Sequence, residues 1–456
     1  MTGPAPTGVG EQELLELASK VAAEAEGGEQ VEAYVGHSTS TSVRVHGAEI
    51  ESLTQATSAG IGVRVVRAGR QGFAYAGSLA PDVIAEVLGE ARDNAAYAQP
   101  EDWVGLAEPD GVAPPEIDLW RDGLAAMPTD RKVELALELE RAVRARDPRI
   151  TGVRVATWGD GSGVGAVATS TGIAVAGRAT SCYLAVQALA EDGGETKTGY
   201  GVSVGREPDE IDLAEAADDA ADRATRLLGA VQPASGTVTL VLEPQMAASL
   251  LGVVAGTLNG ESVLKGRSPF ADRVGEQIAS PLVTLVDDPT DPESLGADSH
   301  DGEGLATRRI PLVEAGVLQG FLHNTMTGRR AGVPSTASAV RSFRSTPGVG
   351  AQALAVTPGW GTLDELVAGV DHGVLVQSMT GLHSGVNPVS GDFSVGVEGL
   401  MVRNGARAEP IREATVASTL QRLLLDIAAV GGELEWTPGG TGAVALVIPG
   451  VTLSGR

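Results

Sequence analysis

The sequence predicts an α/β (α+β) protein of two domains: an N-terminal mixed sheet with helices over residues 1–230 and a strand-rich C-terminal domain over 231–456. Three observations predict it. The length of 456 residues exceeds what one ordinary core fills. Segments of helical period alternate with short Val- and Thr-rich runs through the first half. At Val231–Gly236 the composition shifts through Gln-Pro-Ala-Ser-Gly, and glycine and strand-like runs dominate beyond it.

Glu11–Ala25 places Leu14, Leu17, Val21 and Ala25 on one helical face. Val31–Val35, Ser42–Val45, Gly60–Val66 and Gly72–Tyr75 read as short strands of a mostly antiparallel sheet, separated by Gly, Ser and His-Gly breaks. Pro81 opens a second helix with Ile84, Leu88, Ala91 and Ala95 inward. Gln99–Pro128 is proline-rich and aperiodic, an irregular crossing segment. Thr129 reads as the cap of a third helix carrying Leu135, Leu139 and Ala142. Strand-like text runs from Gly152 to Val204, with Trp158–Gly161 as a hairpin turn, and a fourth helix follows Pro208 and stops at Gly229.

In the second half, Thr237–Leu242 reads as a strand, and Glu243-Pro244 starts a helix to about Leu258. Pro281–Val286, Gly316–His323, Gly373–Ser378, Phe393–Met401 and Ala443–Ile448 are further strands. Capping boxes at Thr362/Glu365 and Ser418/Gln421 mark two helices, the second carrying Leu420, Leu423, Leu424 and Ile427.

Charge excludes several functions. With 33 basic and 59 acidic residues the net charge is −26, which repels phosphate backbones and anionic lipid, so neither nucleic acid nor membrane is an expected partner. Basic peptides would be attracted, although solubility alone accounts for such a surface. Cys182 is the only cysteine, so no intrachain disulfide and no Cys-based metal cluster can form. Met1–Glu11 lacks the basic-then-apolar pattern of a signal peptide, and no apolar run is long enough to span a bilayer, which points to the cytoplasm.

The chemistry on offer is sparse. None of the six histidines precedes Glu, and the nearest pair, His37 and His46, lies nine residues apart, so no local helical metal motif exists. Gly201–Gly205 matches Gly-x-Ser-x-Gly by letter, but Val202 and Val204 alternate around Ser203 as in a continuous strand rather than a nucleophile elbow. Four acids in Asp287–Glu293 could hold a hard cation, against the plainer reading of a solvated loop. Asp301 and Glu303 could act as an acid/base pair, against the plainer reading of a turn whose carboxylates cap backbone N–H groups. Gly381–Ser394 gathers His383, Ser384, Asn387, Ser390, Asp392, Phe393 and Ser394 at the entrance of a strand. Such a loop suits an extended peptide. It equally suits a structural turn in which Asn and Asp bond their own backbone.

Specific blocks carry a family likeness. Asn259–Ser268 with Asp272 and Gly275, and Asp288-Pro289 with Asp301–Gly304 and Thr307, resemble the TldD/PmbA family. So do Gly391–Gly399 with Asn404-Gly405, and in the first half Glu49–Glu51 and Gly60–Arg64 followed by Gly72 and Ala74-Tyr75. The resemblance covers nearly the whole chain. It implies a two-domain fold and a zinc peptidase in which a TldD-type subunit pairs with a TldE/PmbA-type subunit to degrade peptides or trim leader peptides. The catalytic branch holds zinc with a His-Glu-x-x-x-His helix and a later Cys. The matching helix here, Pro244–Leu258, has Gly252 and Thr257 near the histidine positions, and the turn at Trp436–Gly440 has no Cys. The resemblance therefore implies a non-catalytic TldE/PmbA-type chain without zinc of its own, whose partner is a TldD-type metalloprotease subunit and whose ligands are peptides. Two other readings stay open: an independent hydrolase using Asp301, Glu303 or distant histidines, and a homodimeric peptide-binding protein.

Overall fold

The computed structural model describes residues 10–456. Most of the N-terminal stretch read for a signal peptide lies outside the described residues.

The first half is one antiparallel meander. Strands β1 (Glu29–His46), β2 (Glu49–Arg67), β3 (Arg70–Ala76), β4 (Ile150–Thr169), β5 (Ala174–Asp192) and β6 (Glu195–Gly205) lie in the order β3-β2-β1-β4-β5-β6. Period-two alternation sends Val31, Ala33, Val35, Val43 and Val45 of β1 to one face. That face is covered by helices in two groups. α1 (Glu11–Ala22) and α2 (Pro81–Tyr97) bury Leu14, Ala18, Ile84, Leu88 and Ala91 against its upper half. α3 (Thr129–Arg144) and α4 (Leu213–Thr225) bury Leu139, Val143, Ala217 and Ala220 around Trp158 on its lower half.

Three expectations need correction here. The breaks assumed between Val35 and Ser42 do not exist: β1 is a single 18-residue strand, because its register with β2 and β4 runs unbroken through Gly36 and His37. Trp158–Gly161 is not a turn but the middle of β4, with Asp160 paired to Lys132 at 2.8 Å and to the Trp158 indole N–H at 2.7 Å. Gly159 is there because the ring of Tyr183 would lie 2.3 Å from any Cβ. The α3 helix is preceded by Pro128 and has no side-chain cap, so Thr129 is its first residue rather than its cap.

The second half is built on a closed sheet. β7 (Gly236–Leu242), β8 (His372–Thr380), β9 (Asp392–Arg403), β10 (Ala406–Thr419) and β11 (Leu446–Ser454) pair in the order β10-β9-β8-β7-β11, and β10 pairs back onto β11, which closes a barrel. Its interior is filled by Leu240, Val376, Phe393, Val397, Val416 and Ile448. α5 (Pro244–Thr257) follows β7 and buries Leu250, Leu251 and Val254. Only Leu285–Asp287 and Val317–Leu318 of the runs read as Pro281–Val286 and Gly316–His323 are strands, and both belong to a second, irregular sheet. The capping box at Thr362/Glu365 is present. The other cap sits one residue later than read: Thr419, not Ser418, accepts from the Arg422 N–H at 3.2 Å before Leu420–Leu425.

The two halves meet through buried charge. The sheet face opposite the helices presents Glu32 and Arg64, directly cross-strand neighbours on β1 and β2. Arg64 holds Glu32 with Nε at 3.0 Å and Nη2 at 2.7 Å, and reaches Glu303 of the second half at 3.3 Å. Arg341, also from the second half, donates Nη1 to Glu32. Burial alone would raise the Glu32 carboxyl, but Arg64 and Arg341 outweigh it and hold the carboxyl below its usual range. Beside this cluster, Gly60 and Gly62 give close passage to Phe343, whose ring and carbonyl would fall 2.4 and 2.3 Å from a Cβ at those positions.

Removing one member leaves the others buried and unpaired, a loss of about 3–5 kcal/mol. Arg64→Gln is expected to lower the urea unfolding free energy by that amount, while Arg44→Gln, at an exposed pair on the same sheet, changes it by less than about 1 kcal/mol. Equal effects of the two substitutions would contradict the assignment.

Candidate functional site

The loop singled out in the sequence joins β8 to β9. Gly381 turns the chain with φ +84°, Leu382–Gly385 forms one helical turn, and a bridge between Val386 and Phe393 closes the hairpin end. Asn387 accepts from the N–H groups of Val389 at 2.9 Å and Ser390 at 3.3 Å, while its own N–H donates to the Asp392 carbonyl at 2.8 Å. The Ser390 hydroxyl donates to Asp392 Oδ2 at 2.6 Å. The Gln421 amide N–H donates to the Ser390 carbonyl at 3.0 Å, tying the loop to the helix after β10. His383, Ser384, Asn387, Ser390, Asp392 and Ser394 are exposed together at one end of the barrel. Phe393 is separated from them: it points into the barrel core and is 3 % exposed. Asn387 and Asp392 thus order the turn and leave the rest of the loop edge open to solvent.

The two segments matched to the family's metal motif do converge. α5 packs against the strand Gly442–Ala443, whose hairpin partner is Glu435–Trp436. Their side chains do not fit zinc. Gly252 is exposed and has none, Val253 packs on the core, and Thr257 is buried with its hydroxyl donating to the Val254 carbonyl at 2.6 Å. The turn between the paired strands is closed on itself, with Thr437 N–H to the Thr441 carbonyl at 2.9 Å and Gly440 N–H to the Thr437 carbonyl at 3.0 Å. Zinc needs three or four N, S or O donors converging at bond distance. Among the described residues, no group of three or more His, Cys, Asp or Glu is placed to hold a metal ion.

The other candidates resolve into structural roles. Ser203 lies within β6 opposite Leu184, and its hydroxyl accepts from the Asp212 N–H at 2.9 Å. Cys182 is buried and its thiol is pushed up to about 12, by burial first and then by the Asp160 charge, so it is no thiolate. The acids of 287–293 turn to backbone: Asp291 accepts from the Glu293 N–H at 3.0 Å and Asp288 from the Thr290 N–H at 3.2 Å. Asp301 accepts from the N–H groups of Glu303, Leu305 and Ala339 at 2.9–3.0 Å. Glu303 is committed to Arg64 and to the Thr325 N–H at 2.8 Å. The capping-turn reading of this pair therefore describes it, and the acid/base reading has no free carboxylate edge.

These commitments leave two acids out of their ordinary range. Burial pushes Asp301 up to about 7 and Asp287 up to about 6, against the N–H donors that favour their ions. At Asp287, Oδ1 accepts from Gln352 and Ala353 at 2.9 and 2.7 Å, but Oδ2 is buried without a partner among the described residues.

With the geometry in place, the comparisons identify the class. Family models for the PmbA/TldA metallopeptidases match domain 1 at residues 31–95, the central domain at 122–228 and the C-terminal domain at 235–455. The chain belongs to the PmbA/TldD metallopeptidase family. It is 26% identical over 455 residues to metalloprotease PmbA of Escherichia coli O157:H7, covering 98% of this chain and 97% of that protein. A TldD metalloprotease homolog of Haemophilus influenzae is 27% identical over 421 residues, covering 87% and 86%. The crystal structure of TldE from Thermococcus kodakarensis superposes with a TM-score of 0.89 at 24% identity, covering 97% of this chain and 99% of that one, which shows a shared fold. No helix among the described residues is long and apolar enough to cross a membrane.

The raised Asp287 has a consequence with a fixed sign. Its folded-state carboxyl binds a proton more tightly than the unfolded chain does, so its contribution to stability is complete below about pH 4 and is lost as pH rises through about 6. Asp287→Asn keeps the acceptor oxygen for Gln352 and Ala353 and removes the titration. The variant is expected to match the parent at pH 4 and to exceed it at pH 8 by up to about 3 kcal/mol. Parallel stability-against-pH curves for the two proteins would contradict the ionisation proposed for this site.

Proposed function

We propose that this chain is a non-catalytic TldE/PmbA-type subunit that shapes the peptide path of a two-subunit zinc peptidase. Its TldD-type partner carries the zinc and the catalytic residues. The substrates are unfolded peptides or the leader segments of ribosomally made peptides, and the setting is the cytoplasm. One observation carries the reading: α5 and the Glu435–Ala443 hairpin approach each other as the family's metal motif requires, yet Gly252, Val253, Thr257 and the closed 437–441 turn offer no metal-binding side chain. A retained scaffold with the chemistry removed fits a subunit whose activity lies in a partner. The likeness to PmbA along almost the full length supports the same reading.

In this assembly the 381–394 loop contacts the peptide. Its exposed polar edge supplies backbone and side-chain hydrogen bonds without a pocket that reads sequence, which suits varied substrates. Phe393 takes no part in that contact, since it fills the barrel.

Co-purification with the TldD-type protein of the same genome, followed by peptidase assays of each chain and of the mixture, tests the reading. Turnover is expected only from the partner-containing complex. Asn387→Ala combined with Asp392→Ala is expected to reduce that turnover about threefold to tenfold, the effect of one or two net hydrogen bonds, with the complex still folded and its zinc content normal. Peptidase activity of this chain alone would overturn the subunit role, and unchanged turnover of a folded double variant would remove the loop from the peptide path.

A further inference from the structure

We propose that the cleft between the N-terminal sheet and the loops of the second half is a site for a cationic amino group, which Asp298 receives over a wall of glycines. Taking a peptide as the source of that amino group rests on the peptide-handling role proposed above. The site itself rests on the geometry of the cleft.

The cleft is a cavity of about 540 Å³ between β1, β4 and β5 on one side and residues 298–302 and 339–344 on the other. That volume is in the range of small-ligand sites. The room comes from a row of glycines. Gly36, Gly165 and Gly177 stand directly opposite one another across three strands, so the wall they form has no side chains.

Two polar side chains approach this wall. A Cβ on Gly177 would lie 3.7 Å from Asp298 Oδ1, and a Cβ on Gly165 would lie 3.7 Å from the Tyr34 hydroxyl. Directly opposed positions on antiparallel strands are about 5 Å apart, so the carboxyl and the hydroxyl reach neighbouring points of the same wall. Both residues line the cavity and keep open surface. Burial holds the Tyr34 phenol above its usual range, so its oxygen stays a neutral donor and acceptor.

Asp298 is a charge without a counter-ion. Its Oδ1 accepts from the His300 N–H at 3.2 Å, and Arg206 is the positive group that acts on it. Arg206, however, spends its Nε, Nη1 and Nη2 on the carbonyls of Pro292, Thr180 and Ser294. His300 is kept from charging by burial, which lowers its pKa. Three arginines also line the cavity, each turned to a partner of its own: Arg341 to Glu32, Arg178 to Glu11 at 3.3 Å, and Arg344 to the Ser58 hydroxyl at 3.3 Å. The walls of the cleft enclose Asp298 closely enough to raise its carboxyl above the ordinary range, the direction expected of a carboxylate that lacks a cation.

The occupant follows from this donor set. A metal ion needs several ligands, and among the described residues no group of three or more His, Cys, Asp or Glu is placed to hold one. An ammonium group brings its own three hydrogens and needs only acceptors, which Asp298 and the Tyr34 hydroxyl supply. In a peptide it comes from the N-terminus or from a lysine side chain. The net charge of −26 draws either towards the protein.

Titration calorimetry on the full chain without any partner decides the question, so failure of the peptidase assembly does not bear on it. The probes are trialanine amide, its N-acetylated form, and N-acetyl-Ala-Lys-Ala amide. At least one of the two cationic probes is expected to bind about tenfold or more tightly than the uncharged acetylated one, the effect of one ionic hydrogen bond. A preference for trialanine amide assigns the site to N-termini, and a preference for the lysyl probe assigns it to side chains. Asp298→Asn keeps an acceptor oxygen for the His300 N–H, removes the charge, and is expected to abolish the preference. Gly177→Val fills the cleft beside Asp298 without a clash at Cβ, and it is expected to abolish binding in a folded chain. Should Asp298→Asn fail to fold, Gly177→Val decides alone. Equal or undetectable binding of the three probes, or a preference for cationic probes that persists in either folded variant, overturns the proposal.

Discussion

The buried cluster of Glu32, Arg64, Glu303 and Arg341 is the constraint on which the rest of the molecule depends. Two carboxylates and two guanidinium groups balance in a region where none of the four side chains is more than 3 % exposed. Two come from adjacent strands of the first sheet and two from loops of the second half. Such a cluster tolerates only one docking of the halves, because any slip separates charges that water cannot reach. It also fixes smaller features. Glu303 caps the first N–H of the Thr325–Ala331 helix, and the 339–344 segment must run close over Gly60 and Gly62. Further contacts follow the same line, with Arg206 donating to carbonyls at Pro292 and Ser294 and Arg223 and Arg226 meeting Glu243 at the entry to α5.

Much of this architecture was legible in the amino-acid pattern. The helices at Glu11–Ala22, Pro81–Tyr97 and Pro244–Thr257 follow from apolar residues at helical spacing and from proline at the first turn. What failed was the reading of small residues. Gly36 and Gly159 look like breaks, but each lies inside a long strand where a neighbouring side chain or cavity occupies the space of its missing Cβ. β10 went unread because Ala, Arg, Glu and Pro dominate it and only Ile411, Ala414 and Val416 reach the core, so its alternation is faint. Barrel closure through β10 and β11 is a long-range pairing with no local signature.

The loop residues from His383 to Ser394 stand out in the sequence by their types, and the structure exposes all but Phe393 along one edge, while their contact with peptide rests on the proposal above. The place of Arg341 in the buried ion cluster could not be read from the sequence, because a lone arginine in Ala-Val-Arg-Ser carries no signal of the carboxylate it meets on β1. Asp301 and Glu303 stood out correctly as unusual, but their partners are backbone amides and Arg64, which place them in the scaffold rather than in chemistry.

The chain belongs to the PmbA/TldD metallopeptidase family, and among the described residues no group of three or more His, Cys, Asp or Glu is placed to hold a metal ion; the proposed subunit role expects no zinc of its own. Metal content tests this most directly. The isolated chain, purified without chelators and dialysed against micromolar zinc, is predicted to hold well under one zinc per chain by elemental analysis, while its complex with the TldD-type subunit holds zinc in proportion to that partner. One tightly held zinc per isolated chain would contradict the account.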